Sequence, residues 1–113
     1  MFKTIRRFIE RGRKGYCYED LWSFDNWLSK LIANGLREFK THCHGYPNDI
    51  DDWETWMAIL DEMIECFDEQ RRDIDNLLNE DYMARYHRRM ENKKQKLHHG
   101  LELLERYWWD LWD

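Results

Sequence analysis

Apolar residues recur along this chain at spacings of three and four, the period of an α-helix that lays one face on a core. Phe2, Ile5, Phe8 and Ile9 form the first such stripe. They predict a short amphipathic helix over residues 2–11, ended by Gly12 and Gly15. In YEDLWSFDNWLSKLIANGLREFK, the residues Phe24, Leu28, Leu31, Ile32, Gly35 and Phe39 mark a second helical stripe. Asp20 or Ser23 can accept backbone N–H bonds at its start. Gly35 in mid-helix costs about 1 kcal/mol against alanine, which points to a crossing helix or a ligand close to the backbone. The third stripe is the cleanest: Trp53, Trp56, Met57, Leu60, Met63, Ile64 and Phe67. Ile74, Leu77 and Leu78 predict a helical turn after it.

A last helix is predicted from about residue 80 to 112. Met83, Met90, Leu97, Leu104 and Leu111 recur every seven residues, and Tyr86, Leu101, Tyr107 and Trp108 widen the seam. Lys93, Lys94 and Gly100 interrupt it, which argues against a strict coiled coil. At 1.5 Å per residue the helix would span roughly 45–50 Å, longer than one small core, so the seam predicts a homodimer. One proline and five glycines leave little punctuation for strands. The expected fold is therefore all-α: one domain over residues 1–113, a small bundle of three to four helices with a long C-terminal helix. The basic helix within residues 1–15 is expected at its periphery.

The stretch HCHGYPNDIDDW, residues 42–53, is the corner between the second and third helices. Gly45 suits a left-handed helix end. Pro47 stops the helix and holds Tyr46 extended. Asp49, Asp51 or Asp52 caps the next helix. Turn chemistry leaves His42, His44 and Tyr46 unexplained.

Composition changes the picture in two ways. Charged residues make up 36% of the chain, so its surface is wet, and aromatics make up 16%, seven of them Trp, so its core is built from large flat rings. The net charge of −5 is strongly segregated. Residues 1–15 carry six Lys or Arg against Glu10, residues 49–81 carry thirteen Asp or Glu against Arg71 and Arg72, and residues 85–99 carry six basic side chains against Glu91. Either these segments compensate one another in the fold, or a basic patch stays open for a phosphate-bearing partner. Cys17, Cys43 and Cys66 are odd in number and widely spaced, and no secretory apolar segment opens the chain. Free thiols in a reducing cytosol are expected. No apolar run approaches the ~18 residues of a membrane helix.

Four chemistries compete. His42 and His44, with His98, His99 and the cysteines, offer metal ligands, but neither C-x-x-C nor H-E-x-x-H spacing is present. Cys43 beside His44 could form a nucleophile, yet nothing places a third orienting group. Cys66 borders the Phe67 stripe and reads as a small buried filler. ARYHRRMENKKQK interleaves rings and bases on a helix, but the acidic total and the lack of a recognition signature weigh against nucleic acid. Small-ligand binding fits the surplus of rings and polar groups near helix ends. Trp22 and Asp25 open the second helix, His44 and Tyr46 close its corner, and RYWWDLWD ends the chain. In that tail Trp108, Leu111 and Trp112 would share a helical face, with Trp109 pointing elsewhere.

These residues carry a resemblance. D-L-W-S-F-D at 20–25, G-L at 35–36, H-G-Y-P at 44–47 and D-L-W-D at 110–113 resemble the pattern of a widespread family of small phage-encoded proteins. The resemblance spans roughly residues 14–113 and implies a helical fold and a phage origin. A small phage protein without a catalyst is expected to act on its host, and one such action is to hold immune signalling nucleotides away from their effectors. On that expectation the chain is an anti-defence protein of the host cytoplasm. It is not an enzyme, needs no cofactor or metal, and binds a cyclic-dinucleotide or ADP-ribose type of ligand. Trp22, Tyr46, Trp108 or Trp112 would stack on a base, at about 1–3 kcal/mol each. His44 and Asp25 would fix its edge or a ribose hydroxyl, and Lys30, Arg37 or an Arg of 85–89 would face phosphate. The alternative is an interaction module that inhibits a host protein through the same aromatic surface.

Overall fold

The helical periods read from the sequence become four α-helices: α1 (Phe2–Lys14), α2 (Phe24–His42), α3 (Trp53–Asp68) and α4 (Tyr82–Tyr107). Two 3-10 helices join them, Tyr18–Ser23 between α1 and α2 and Trp108–Asp110 after α4. The computed structural model describes residues 2–70 and 82–112, and in α4 the side chains from Tyr86 onward. The turn expected at Ile74, Leu77 and Leu78 lies outside the described residues. Among them there is no strand, and no helix is long and apolar enough to cross a membrane. The fold is an all-α small helical bundle with a long C-terminal helix.

The third stripe forms the centre. Trp56, Leu60, Met63, Ile64 and Phe67 are buried on one face of α3. Asp52 caps it: the backbone N–H of Thr55 donates to Asp52 Oδ1 at 2.7 Å, and the Thr55 side chain together with that N–H draws the carboxyl below its usual range. α3 packs on α2 along one side and on α4 along the other, with no close backbone approach between α2 and α4 among the described residues. Leu36 and Cys43 of the α2 side, Ile50, and Tyr107 of α4 complete the main cluster. Trp56 and Tyr107 meet edge to face at 5.3 Å. The helices thus lie nearly in one layer, with extents of 47 × 42 × 19 Å and a radius of gyration of 17.2 Å. A compact domain of this length would have about 13 Å.

The segregated charges become ties between helices. Arg37 pairs with Asp68, and Lys40 Nζ lies 2.6 Å from Asp61 Oδ1, joining α2 to α3. Lys96 Nζ lies 3.4 and 3.6 Å from Glu65 and Glu69, and His99 meets Glu62, joining α3 to α4. Gln70 Nε2 donates to the carbonyls of Cys66 and Lys93 at 3.2 and 2.8 Å. Such exposed pairs are worth about 0–1 kcal/mol each. They set register more than stability.

Several details differ from the sequence reading. α1 runs through Gly12 and ends at Gly15, whose φ of +85° supplies the left-handed turn while its N–H donates to the Arg11 carbonyl. Gly45 has no left-handed backbone. α2 stops at His42 because Cys43 turns extended and buries its thiol in the core. Ser23 holds the first position before α2 without a side-chain cap, and Asp20 caps the preceding 3-10 helix instead. The α2 stripe divides: Ile32 and Phe39 face the core with Ala33 and Leu36, whereas Phe24, Leu28, Leu31 and Gly35 face solvent. α4 ends at Tyr107, so Trp108, Leu111 and Trp112 do not share a helical face. Leu111 packs on the core, and Trp108, Trp109 and Trp112 are all exposed. Leu104 also packs on the core and Leu97 is half-buried, so much of the α4 seam is occupied within the chain.

Candidate functional site

α2 separates the two groups of residues that the sequence offered for a ligand. A helix of 19 residues is about 28 Å long. Trp22 precedes its first turn and Asp25 lies within it; Lys30 lies one turn further on. His44 and Tyr46 follow its last turn. Trp108 and Trp112 belong to the His44 end, because Tyr107 packs with Cys43 and Ile50, and Arg106 Nη2 reaches Asp49 at 4.0 Å. The structure therefore divides the expected pocket into two surfaces. The Arg37 guanidinium pairs with Asp68 and donates to Asn34 Oδ1 at 2.8 Å. It ties α2 to α3 from an exposed position. Trp22, Lys30, His44, Tyr46, Trp108 and Trp112 are exposed. Among the described residues no group of three or more His, Cys, Asp or Glu is placed to hold a metal ion. Cys17, Cys43 and Cys66 are buried thiols outside any disulfide, and burial pushes the Cys66 thiol up.

An open groove lies elsewhere, along α1, lined by Phe2, Ile5, Arg6, Ile9, Glu10, Arg13 and Lys14. No residue of α1 is buried. Phe2 is 90% exposed, and Ile5, Phe8 and Ile9 are exposed as well. The cause is the way α1 is held. Gly15 turns the chain back, so that the Tyr18–Ser23 helix meets the polar side of α1. Arg6 and Arg7 pair with Glu19. Arg11 Nε and Nη2 donate to Asp20 at 3.1 and 2.8 Å. The Tyr18 backbone N–H donates to Glu10 at 3.3 Å. Every one of these ties is polar, and the apolar face points away.

The ties have an acid limit. The Arg11 guanidinium, with the Cys17 backbone N–H, holds the Asp20 carboxyl well below the usual carboxylate range. Glu19 is lowered too, chiefly by its own backbone N–H, with Cys17 and Arg6 adding to it. Depressed carboxyls stabilise the docked form above the ordinary carboxylate pKa of about 4, and that contribution is lost as pH falls through the depressed values. Acid titration followed by NMR is therefore expected to hold the Arg11 Nε–H and Cys17 backbone N–H signals in place from pH 7 to about 5 and to lose them progressively below about 4, as pH falls toward the depressed values. Asp20→Asn is expected to show the released signals already at pH 7, with α3 resonances unmoved. Unchanged Arg11 and Cys17 signals in that variant would remove Asp20 from the attachment.

Sequence reasoning found the amphipathic face of α1 but missed how it is held. The signal was the pairing of Arg6, Arg7 and Arg11 with Glu19 and Asp20, which becomes visible only once the chain reverses at Gly15. Comparison of the chain with protein-family models, with curated proteins and with solved structures finds no match.

Proposed function

We propose that this chain is a non-catalytic interaction module that acts in a host cytoplasm by docking a host protein through the apolar face of α1. The reading agrees with the resemblance to small phage-encoded helical proteins. One observation carries it: α1 is fastened by its polar side, so its apolar side is kept outward. Phe2, Ile5 and Ile9 stand at i, i+3 and i+7, the spacing with which amphipathic helices enter apolar grooves of partner proteins. Arg6 and Arg13 border that face, so the groove that fits it has an acidic rim.

Sequestration of a nucleotide is the second reading. The corner end favours it, because His44, Tyr46, Trp108 and Trp112 all stand uncovered there. A base stacked on this open surface would need a second wall from another chain.

Photo-cross-linking from single positions separates the two. A photoreactive residue at Phe8 or Ile5 is expected to capture one host polypeptide, and one at Lys3 or Thr4 is not. Ile5→Asp is expected to abolish the complex while moving stability by less than about 0.5 kcal/mol, since the position is exposed. Equal capture from both faces would sink the α1 reading. Release of an ultraviolet-absorbing small molecule on heating, with His44→Ala losing it, would replace this reading with sequestration.

A further inference from the structure

α2 carries a second apolar stripe that stays largely exposed among the described residues, with the Phe24 ring stacked on Trp27 at 5.7 Å. Phe24, Leu28 and Leu31 are 48%, 37% and 54% exposed, and Gly35 is exposed on the same line. Their spacings of four, three and four set them on one face, about a quarter turn from the residues that meet α3. The line continues backward through the 3-10 helix, where residues three apart eclipse: Leu21 and Tyr18 are exposed in turn. A fully buried ring covers about 150–250 Å², so these half-exposed side chains leave an apolar face of roughly 500 Å². A standard specific interface buries about 800 Å² per partner, the balance being polar rim. No charged side chain interrupts the line.

Gly35 leaves the only gap in that stripe. A Cβ built there meets no atom within 4 Å. No neighbour among the described residues requires a glycine, which costs about 1 kcal/mol in a helix, and the backbone there is open to a second chain. When two copies of α2 are laid antiparallel, Phe24 of one falls opposite Gly35 of the other, and Leu28 falls opposite Leu31. The largest side chain of the stripe then meets its one gap, twice, about a two-fold axis. Self-complementarity of this kind is what an isologous interface demands.

We infer that the chain forms an antiparallel homodimer through the Phe24–Leu28–Leu31–Gly35 face of α2, with each Phe24 ring seated over Gly35 of the second copy. This interface is separate from the α1 face and independent of what α1 binds.

Sedimentation of the full chain across concentration is expected to show a monomer–dimer equilibrium. Leu31→Asp should raise its dissociation constant about tenfold or more with helicity unchanged, because Leu31 lies outside the buried core. Gly35→Leu should weaken the dimer likewise by filling the seat of Phe24. Orientation is read from disulfides. Phe24→Cys mixed with Gly35→Cys is expected to cross-link under oxidation, whereas Phe24→Cys alone is not, since the two copies of residue 24 are far apart. A monomer at every concentration, a dimer indifferent to both Leu31→Asp and Gly35→Leu, or a cross-link formed by Phe24→Cys alone would each overturn the proposal. A complex formed on this face with a different protein, and no self-association, would overturn it as well.

Discussion

Trp56→Ala should lower the stability of this chain by about 3–5 kcal/mol. Trp56 is 1% exposed and belongs to the cluster to which α2, α3 and α4 all contribute. Its indole shares the core cluster with Leu60 and Ile50 and meets the Tyr107 ring edge to face. Removal therefore deletes buried area, an aromatic pair and the packing that holds the end of α4 beside the corner. Domains are stable by only about 5–15 kcal/mol in total. The melting temperature is expected to fall by roughly 12–20 °C. Trp109→Ala is the matched control. That indole is 84% exposed, and its loss should shift stability by less than about 0.5 kcal/mol. Similar melting temperatures for the two variants would mean that the core does not converge on Trp56.

Gly100→Ala should also destabilise, against the trend of helix propensity. In an exposed helix the exchange gains up to about 1 kcal/mol. Here the added Cβ would stand 2.8 Å from the Cβ of Cys66 and 3.3 Å from the Phe67 ring. Neither Cβ can rotate away, because each is fixed to its own backbone. α3 and α4 must part, and overpacking of this kind costs about 1–3 kcal/mol. Packing therefore outweighs propensity, and thermal melts should record a net loss. Adding Cys66→Gly removes the opposing atom, so the double variant should lose less than the two single losses combined. A rise in melting temperature for Gly100→Ala alone would show that the helices do not approach this closely.

Much of the fold was legible because helical period and burial coincide. Trp53 to Phe67 is apolar on one face only, so α3 could be drawn correctly from its spacing. Cys66 was readable as filler for the same reason. α2 was harder. Apolar residues at two angles look like one broad stripe in a sequence, and only the position of α3 decides that Ile32 and Phe39 turn inward while Phe24, Leu28 and Leu31 do not. Gly12 and Gly15 offered two stops for α1, and the choice depended on where the Tyr18–Ser23 helix needed the chain to reverse. Gly45 looked like a helix end, yet the pull on Cys43 toward the core ended α2 first. The candidate site was less legible still. Trp22 with Asp25 and His44 with Tyr46 lie at opposite ends of one helix, and sequence proximity to helix ends does not say which ends meet. Arg37 looked free for a phosphate until Asp68, thirty-one residues away, proved to be beside it.

The arrangement of α3 between its two chain neighbours bears on how the molecule assembles. Among the described residues the packed helix pairs are neighbours in the chain, α2 with α3 and α3 with α4, while the Tyr107 end of α4 returns to the corner of Cys43 and Ile50. Chains built from such near-neighbour contacts have low contact order and fold in microseconds to milliseconds. During synthesis α2 and α3 can pair while the residues of α4 are still being added, so the growing chain shields the α3 face in two stages.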